Sequence, residues 1–409
     1  MADAILGQSL EIAGAVVVRG PKACGKTTTA ERRAASALRL DVDRQERLAA
    51  QANPMGALSG ATPRLIDEWQ LAPDLWNAVR AEVDRRGLDG QFILTGSATP
   101  SKDASRHTGA MRFSYVDMRP LTLVESGVSS GAVSLGDLWE GGDANVSAST
   151  GRTDLTTLAD ALCRGGWPSN IGRSLAQARA ANHNYVQTII GTEIVTLDGV
   201  RRDPRKVEAL IFALARNSAS YVTLETLARD TAQYGASVGV QTLPNYLDAL
   251  ARLWLLVDQP AWGGHLRSSA NVRKSPKRHL VDPSLAVAAL GAGPEDLLSD
   301  HEAFGQLLES LAFRDLSVYG QARGLSVRAY QDNRGSEIDL VLVRGVEWAG
   351  IEVKLSGLEQ VLDSAAAKLV GLAGKMTTKP RFLAVLTAVG PCYTRADGVH
   401  VLSLTDLTV

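Results

Sequence analysis

The stretch GAVVVRGPKACGKTTTAERR, residues 14–33, decides how the first third of this chain folds. Ala15 to Val18 form a short apolar run that reads as a buried strand, and TTTAERRAASAL from Thr27 onward reads as a helix. Between them, Gly20, Gly25, Lys26 and Thr27 satisfy the G-x-x-x-x-G-K-[ST] spacing in the strand–loop–helix context that gives it meaning. Gly20 and Gly25 permit backbone turns that aim successive N–H groups at phosphate oxygens. Pro21, Lys22, Ala23 and Cys24 fill the loop, with Cys24 read as tolerated bulk rather than chemistry. Lys26 can reach the β- and γ-phosphates, Thr27 offers a hydroxyl to Mg²⁺, and Thr28 lies in the first helical turn, whose partial positive charge favours an anion. A nucleoside triphosphate with Mg²⁺, in the first instance ATP, is the expected ligand.

Working outward, apolar strands expected at 38–43, 63–68 and 91–97 alternate with helical patterns, which predicts a doubly wound, parallel α/β sheet. LIDE ends the 63–68 strand; there Asp67 can hold magnesium through water and Glu68 can polarise an attacking water. The plain alternative is an acidic pair capping the next helix. On the following strand Thr95 and Ser97 have the spacing to sense a γ-phosphate. Residues 128–155, rich in Gly, Ser, Ala and Asp, read as a boundary. From about 156 to 260 the periodicity is helical and ends as helix, short connection, helix and strand, the outline of a helix-turn-helix with a wing. From about 300 the pattern returns to mixed α/β.

The 409 residues suggest two to three domains, and 45% hydrophobic with 21% charged residues is ordinary for a globular chain. A net charge of −1 excludes a global field that recruits nucleic acid. Cys24, Cys163 and Cys392 form no zinc or disulfide pattern, and no apolar run approaches the length of a membrane span. Both features point to the cytoplasm. Basic residues do gather in WGGHLRSSANVRKSPKRHL (262–280), which holds Arg267, Arg273, Lys274, Lys277 and Arg278, and in RRDPRK (201–206). Beside a winged helix these runs could hold DNA phosphates; the alternative is solvated surface around a packing module.

Near the C-terminus, SEIDLVLVRGVEWAGIEVKL (336–355) reads as a hairpin. A turn centred on Gly345-Val346 pairs residues whose numbers sum to 691, setting Asp339 opposite Glu352, with Lys354 on the same face. Ile338, Leu340, Ile351 and Val353 then face the other way and supply core. Directly opposed carboxylates repel, so a divalent metal or the nearby lysine must offset that cost. Glu337 reads as a solvent-facing strand residue.

Several of these stretches carry a resemblance. GPKACGKTT, LIDEWQLAPDLWNAVR, ILTGSA and HTGAMRFSYVDMRPLTLVESG resemble the AAA-type P-loop ATPases of bacteria and archaea. CRGGWP (163–168), KRHLVDPSLA (277–286) and the hairpin narrow the likeness to members fused to a C-terminal domain of unknown function. In that family a small residue, Gly and Arg precede the PLT run. Here the arginine is Arg112, behind Met111, so the resemblance makes Arg112 the candidate for γ-phosphate contact, in cis or from a neighbouring subunit of a homo-oligomer, with Arg119 the alternative. The C-terminal third resembles the PD-(D/E)xK nuclease-like fold, with Glu309 matching its helical acid. That likeness implies a second Mg²⁺ or Mn²⁺ on Glu309, Asp339 and Glu352, and Lys354 orienting the attacking water. The expected layout is a P-loop AAA-type core (1–130), a helical lid or linker (131–195), a winged-helix-like middle (196–288) and a nuclease-like α/β domain (289–409). The expected activity is Mg²⁺-dependent ATP hydrolysis on or near DNA. An ATP-regulated nuclease and a non-hydrolysing nucleotide switch are the rivals.

Overall fold

The computed structural model describes residues 1–98, 108–144, 153–197, 199–264, 275–332 and 335–409. The chain divides into two compact units: Met1–Pro120 with Glu193–Arg201 and Asp248–Leu255, and Leu121–Thr192 with Arg202–Leu247 and Leu256–Val409.

In the first unit β1 (Ala15–Arg19), β2 (Ser36–Arg39), β3 (Arg64–Asp67), β4 (Phe92–Gly96) and β5 (Phe113–Asp117) form one parallel sheet in the order β2-β3-β4-β1-β5. Strand β1 is buried on both faces, as a parallel strand between helical layers must be. Ala15 and Val17 join a cluster with Trp69, Trp76, Phe92 and Phe113, whereas Val16 and Val18 join Leu6, Leu65, Ile93 and Val116 on the other side. Strand β2 begins and ends earlier than the expected 38–43. Asp43 caps the helix Arg44–Ala52 by accepting from the Gln45 (2.7 Å) and Glu46 (3.2 Å) amides, which turns the chain out of the sheet.

Near the end of the helix Leu75–Arg86, a buried carboxylate pairs with one exposed and one half-buried arginine. Glu82 accepts from Arg85 through both oxygens and from Arg86, each at 2.7 Å. Those hydrogen bonds, Arg85's first and then Arg86's, pull the Glu82 carboxyl down from 4.5 to about 2. A depressed carboxylate stabilises the fold fully above its unfolded value of 4.5, and the contribution is lost as pH falls toward about 2. Glu82→Gln is therefore expected to melt below the wild type at pH 7, with the gap closing on approach to pH 3. Thermal denaturation at both pH values checks this; a gap indifferent to pH would refute it.

The second unit opens with β6 (Val133–Ser134) and the helices Leu155–Arg164 and Leu175–Thr188. Helices Pro204–Arg216, Leu224–Gln233 and Leu243–Arg252 follow, the last divided between the units after Leu247. Next come β7 (Leu256–Gln259) and β8 (Lys277–Leu280), an antiparallel pair. After the long helix His301–Ala322, strands β9 (Ser326–Gln331), β10 (Glu337–Arg344), β11 (Glu347–Lys354), β12 (Leu383–Thr387), β13 (Tyr393–Thr394) and β14 (His400–Ser403) build a mixed sheet. Its order is β13-β14-β12-β11-β10-β9, and the helix Glu359–Ala373 joins β11 to β12. Strand β15 (Leu407–Thr408) returns to pair with β6.

The expected boundary at 288/289 falls inside this unit. Strand β7 is tied to the C-terminal sheet: Ala261 bridges Ala329, and Gln259 Nε2 donates to the carbonyls of Arg328 (2.9 Å) and Asp339 (2.7 Å). The hairpin register sum of 691 holds from Leu340↔Ile351 to Arg344↔Glu347. Strict alternation does not. A bulge against β9 shifts the register between Ile338 and Val341, so these two, three apart, share one buried cluster with Trp348 and Leu362.

Candidate functional site

At the C-terminal edge of the first sheet, the loop after β1 meets the ends of β3 and β4. Gly20 lies at φ +154°, and a Cβ there would stand 2.3 Å from the Met118 carbonyl oxygen, so the tight approach of loop to β5 requires glycine. Gly25 (φ +100°) leads into the helix Lys26–Glu31. Lys26 is buried and its ammonium donates to the carbonyls of Gly20 (2.9 Å) and Pro21 (2.7 Å), which holds it inside the loop. Cys24 is buried too, and burial pushes its thiol up, away from reactivity. Ala23 takes a left-handed turn at φ +63°, and the Lys22 ammonium pairs with Glu193 at 2.7 Å.

Strand β4 lies between β1 and β3, which brings Thr95 and Ser97 beside Asp67 and Glu68. Thr27 donates to Asp67 at 2.9 Å, and Thr95 donates to the same Asp67 oxygen. Burial pushes the Asp67 carboxyl up, against the opposing pull of the Thr95 and Thr27 hydroxyls. Glu68 adopts a left-handed backbone (φ +54°) that a non-glycine residue holds only when its surroundings impose it. Its amide donates to Thr95 Oγ1 (3.2 Å), and its carboxylate accepts from Ser97 Oγ (2.9 Å) and from Gln70 Nε2. A Thr hydroxyl bonded to a buried carboxylate, next to a glycine-cradled loop, suits Mg²⁺ carried on phosphates. That ion takes few protein ligands and keeps near-octahedral oxygen geometry. Gln70 was not foreseen; its partner lies only two residues away, but the turn that joins them appears only in the fold.

Arg112 lies far from the phosphate loop of its own subunit. Parallel pairing sets Phe113 beside Ala15, and the Ala15 amide donates to the Arg112 carbonyl, so Arg112 stands at the N-terminal edge of the sheet. The phosphate loop leaves the opposite edge, about 15 Å away at roughly 3.3 Å per strand residue. Its guanidinium instead pairs with Asp84 at 2.8 Å. Arg119 follows β5 at the loop's own edge, where the Met118 amide donates to the Arg19 carbonyl (2.8 Å).

In the second unit the structure brings Glu309, Asp339, Glu352 and Lys354 together, and adds cations that the sequence did not announce. Lys277, read from sequence as part of a DNA-facing run, is 2% exposed. Its ammonium lies 2.7 Å from Glu309, 3.4 Å from Asp339 and 3.7 Å from Glu337, and 5.3 Å from the Tyr221 ring. Glu337, half-buried, thus borders the cluster while part of its side chain stays in solvent. Glu352 Oε1 accepts from Lys354 (2.8 Å) and Lys368 (2.7 Å), while its buried Oε2 has no hydrogen-bond partner. Asp339 Oδ2 accepts from the Val353 amide at 2.8 Å.

Burial, then Asp339, push both the Glu309 and the Glu352 carboxyls up, against the pull of their lysines. Burial alone would lower the Lys277 ammonium, but Glu309, Asp339 and Glu337 outweigh it and hold it above its ordinary value. These side chains do not fit the second metal that the nuclease-like resemblance implies, because Glu309 and Asp339 share the Lys277 ammonium and Glu352 Oε1 is taken by the Lys354 and Lys368 ammonium groups. Among the described residues no group of three or more His, Cys, Asp or Glu side chains is arranged to hold a metal ion. Of the other basic residues, Arg278 donates to the Val222 carbonyl (2.8 Å), and Arg267, Arg273 and Lys274 lie outside the described residues.

With this geometry in place, comparison with known proteins separates the units. Residues 13–126 match an AAA domain, residues 155–296 a domain of unknown function (DUF8612) and residues 304–407 another (DUF4143). Uncharacterized proteins of Mycobacterium bovis (Mb2031c) and Mycobacterium tuberculosis (Rv2008c) are each 27% identical over 378 residues, covering 91% of this chain and 77% of theirs. A Walker-type ATPase of Pyrococcus abyssi aligns with a TM-score of 0.42 at 15% identity, over 71% of this chain and 94% of its own. The AAA match falls on the sheet that carries the phosphate loop and supports a P-loop, AAA-type ATP-binding module there. Among the described residues no helix is long and apolar enough to cross a membrane.

Proposed function

We propose that this chain binds ATP with Mg²⁺ at the loop Gly20–Thr28 and hydrolyses it. The observation that carries the reading is the hydrogen-bonded run Thr27–Asp67–Thr95 with Glu68 held by Ser97 and Gln70, all beside the loop. Loop amides and Lys26 bind the phosphates, and Thr27 and Asp67 hold the magnesium, which supplies charge neutralisation when bound. Glu68 orients the attacking water and takes up its proton, while Ser97 and Gln70 keep that carboxylate aimed. Arg119, at the loop's edge, is a better placed candidate than Arg112 for contact with the γ-phosphate.

Glu68→Gln keeps the size of the side chain and removes its basicity. General-base catalysis contributes about 10²–10⁴-fold, so turnover is expected to fall roughly 100-fold or more with ATP affinity largely kept. Steady-state hydrolysis and calorimetry on both proteins check this; equal turnover would remove Glu68 from that role, and ATP binding with negligible turnover in both would favour a nucleotide switch. Of the basic run 262–280, Lys277 is buried among acids and Arg278 is bonded to backbone, so neither is assigned to DNA phosphates.

A further inference from the structure

We propose that Lys277 is the resident cation of the C-terminal acid cluster. Its ammonium bridges Glu309 and Asp339, two of the three acids that a divalent ion would have to share, so the cluster keeps its carboxylates without binding a metal.

The inference rests on how firmly the fold presents Lys277. On β8 its side chain points the same way as His279, two residues on. His279 is clamped between Ser310 Oγ (3.1 Å) and Gln259 Oε1 (3.0 Å), and Gln259 in turn donates to the Asp339 and Arg328 carbonyls. Strand β8 is thus tied to the long helix on one side and to the sheet on the other. Lys277 then meets Glu309 from that helix and Asp339 from β10, both within 3.4 Å.

A Mg²⁺ ion would need its ligand oxygens converging at about 2.0–2.1 Å. In this cluster the same oxygens face an ammonium, and a divalent charge beside it would meet repulsion that the buried surroundings screen poorly. Four carboxylates (Glu309, Glu337, Asp339, Glu352) face three ammonium groups (Lys277, Lys354, Lys368), so the site is close to balanced without any added ion. Glu352 Oε2 and the Tyr221 hydroxyl, both buried, have no hydrogen-bond partner among the described residues. The inference is independent of the ATPase reading, since it concerns only the second unit.

The test is Mn²⁺ binding to the full chain without nucleotide, followed by calorimetry and by the electron paramagnetic resonance signal of free Mn²⁺. Asp67→Asn identifies whatever binds at the phosphate loop. Wild-type binding is expected to be unchanged, within about twofold, by Asp339→Asn. Lys277→Met and Lys277→Gln are expected to gain one Mn²⁺ per chain, and to lose it again when combined with Asp339→Asn. Wild-type Mn²⁺ binding that disappears in Asp339→Asn but survives in Asp67→Asn overturns the inference. So does a folded Lys277 variant that gains no ion. Should neither variant fold, the wild-type and Asp339→Asn titrations still decide.

Discussion

Lys26→Ala is expected to abolish measurable ATP binding while leaving the protein folded. The lysine contributes charge-assisted hydrogen bonds to phosphate, each worth about 1.5–3 kcal/mol. Losing two of them weakens affinity by roughly 100-fold or more. The loop's other lysine, Lys22, does not substitute, because it is drawn to Glu193 at 2.7 Å. Structurally the change is mild: two loop carbonyls lose one donor, and the Gly20 turn against Met118 remains. Calorimetric titration with Mg²⁺-ATP, alongside a melting curve, separates the effects. Affinity within threefold of the wild type would mean that the loop is not the phosphate site.

Arg314→Met is expected to produce the largest loss of stability. Arg314 is 3% exposed on the long helix and bridges two carboxylates that are wholly buried. Its Nη1 donates to Asp282 at 2.7 Å and its Nε to Asp315 at 2.8 Å. Asp282 also accepts from the Ser284 and Gly166 amides, and Asp315 from that of Leu123, so the three side chains tie distant segments of the second unit together. Removing only the cation leaves two buried negative charges without compensation, at a cost of about 3–5 kcal/mol. Thermal and urea denaturation are expected to show a Tm lower by roughly 10 °C. A loss under 1 kcal/mol would show that the carboxylates are relieved in another way.

This knot also accounts for CRGGWP, which the sequence could mark only as a family-like stretch. A Cβ on Gly166 would lie 2.1 Å from the Leu121 carbonyl oxygen, and the Gly166 amide is the one that Asp282 accepts. Trp167 Nε1 donates to Ser284 at 3.1 Å. Gly166 lets backbone approach backbone, and at Gly165 (φ +72°) a Cβ would stand 2.2 Å from Ser284 Oγ. Nothing local signals this, because Leu121 lies 45 residues earlier and Asp282 and Ser284 lie more than a hundred residues further on.

The phosphate loop, the parallel alternation of strands and helices, the strand end at Asp67 and the hairpin register were legible because each is encoded within a few residues. Strand period, glycine spacing and turn position are properties of neighbours along the chain. The placement of Arg112 was not legible, since it depends on which end of β5 pairs with which end of β1. Nor was the identity of the cation among the C-terminal acids. Sequence set Asp339 across from Glu352 and left metal or lysine open. The fold answers with Lys277, contributed by a strand 32 residues before Glu309 and 62 before Asp339. Buried charge must be balanced by whatever the packing brings within a few ångströms, and only the tertiary structure decides which side chain that is.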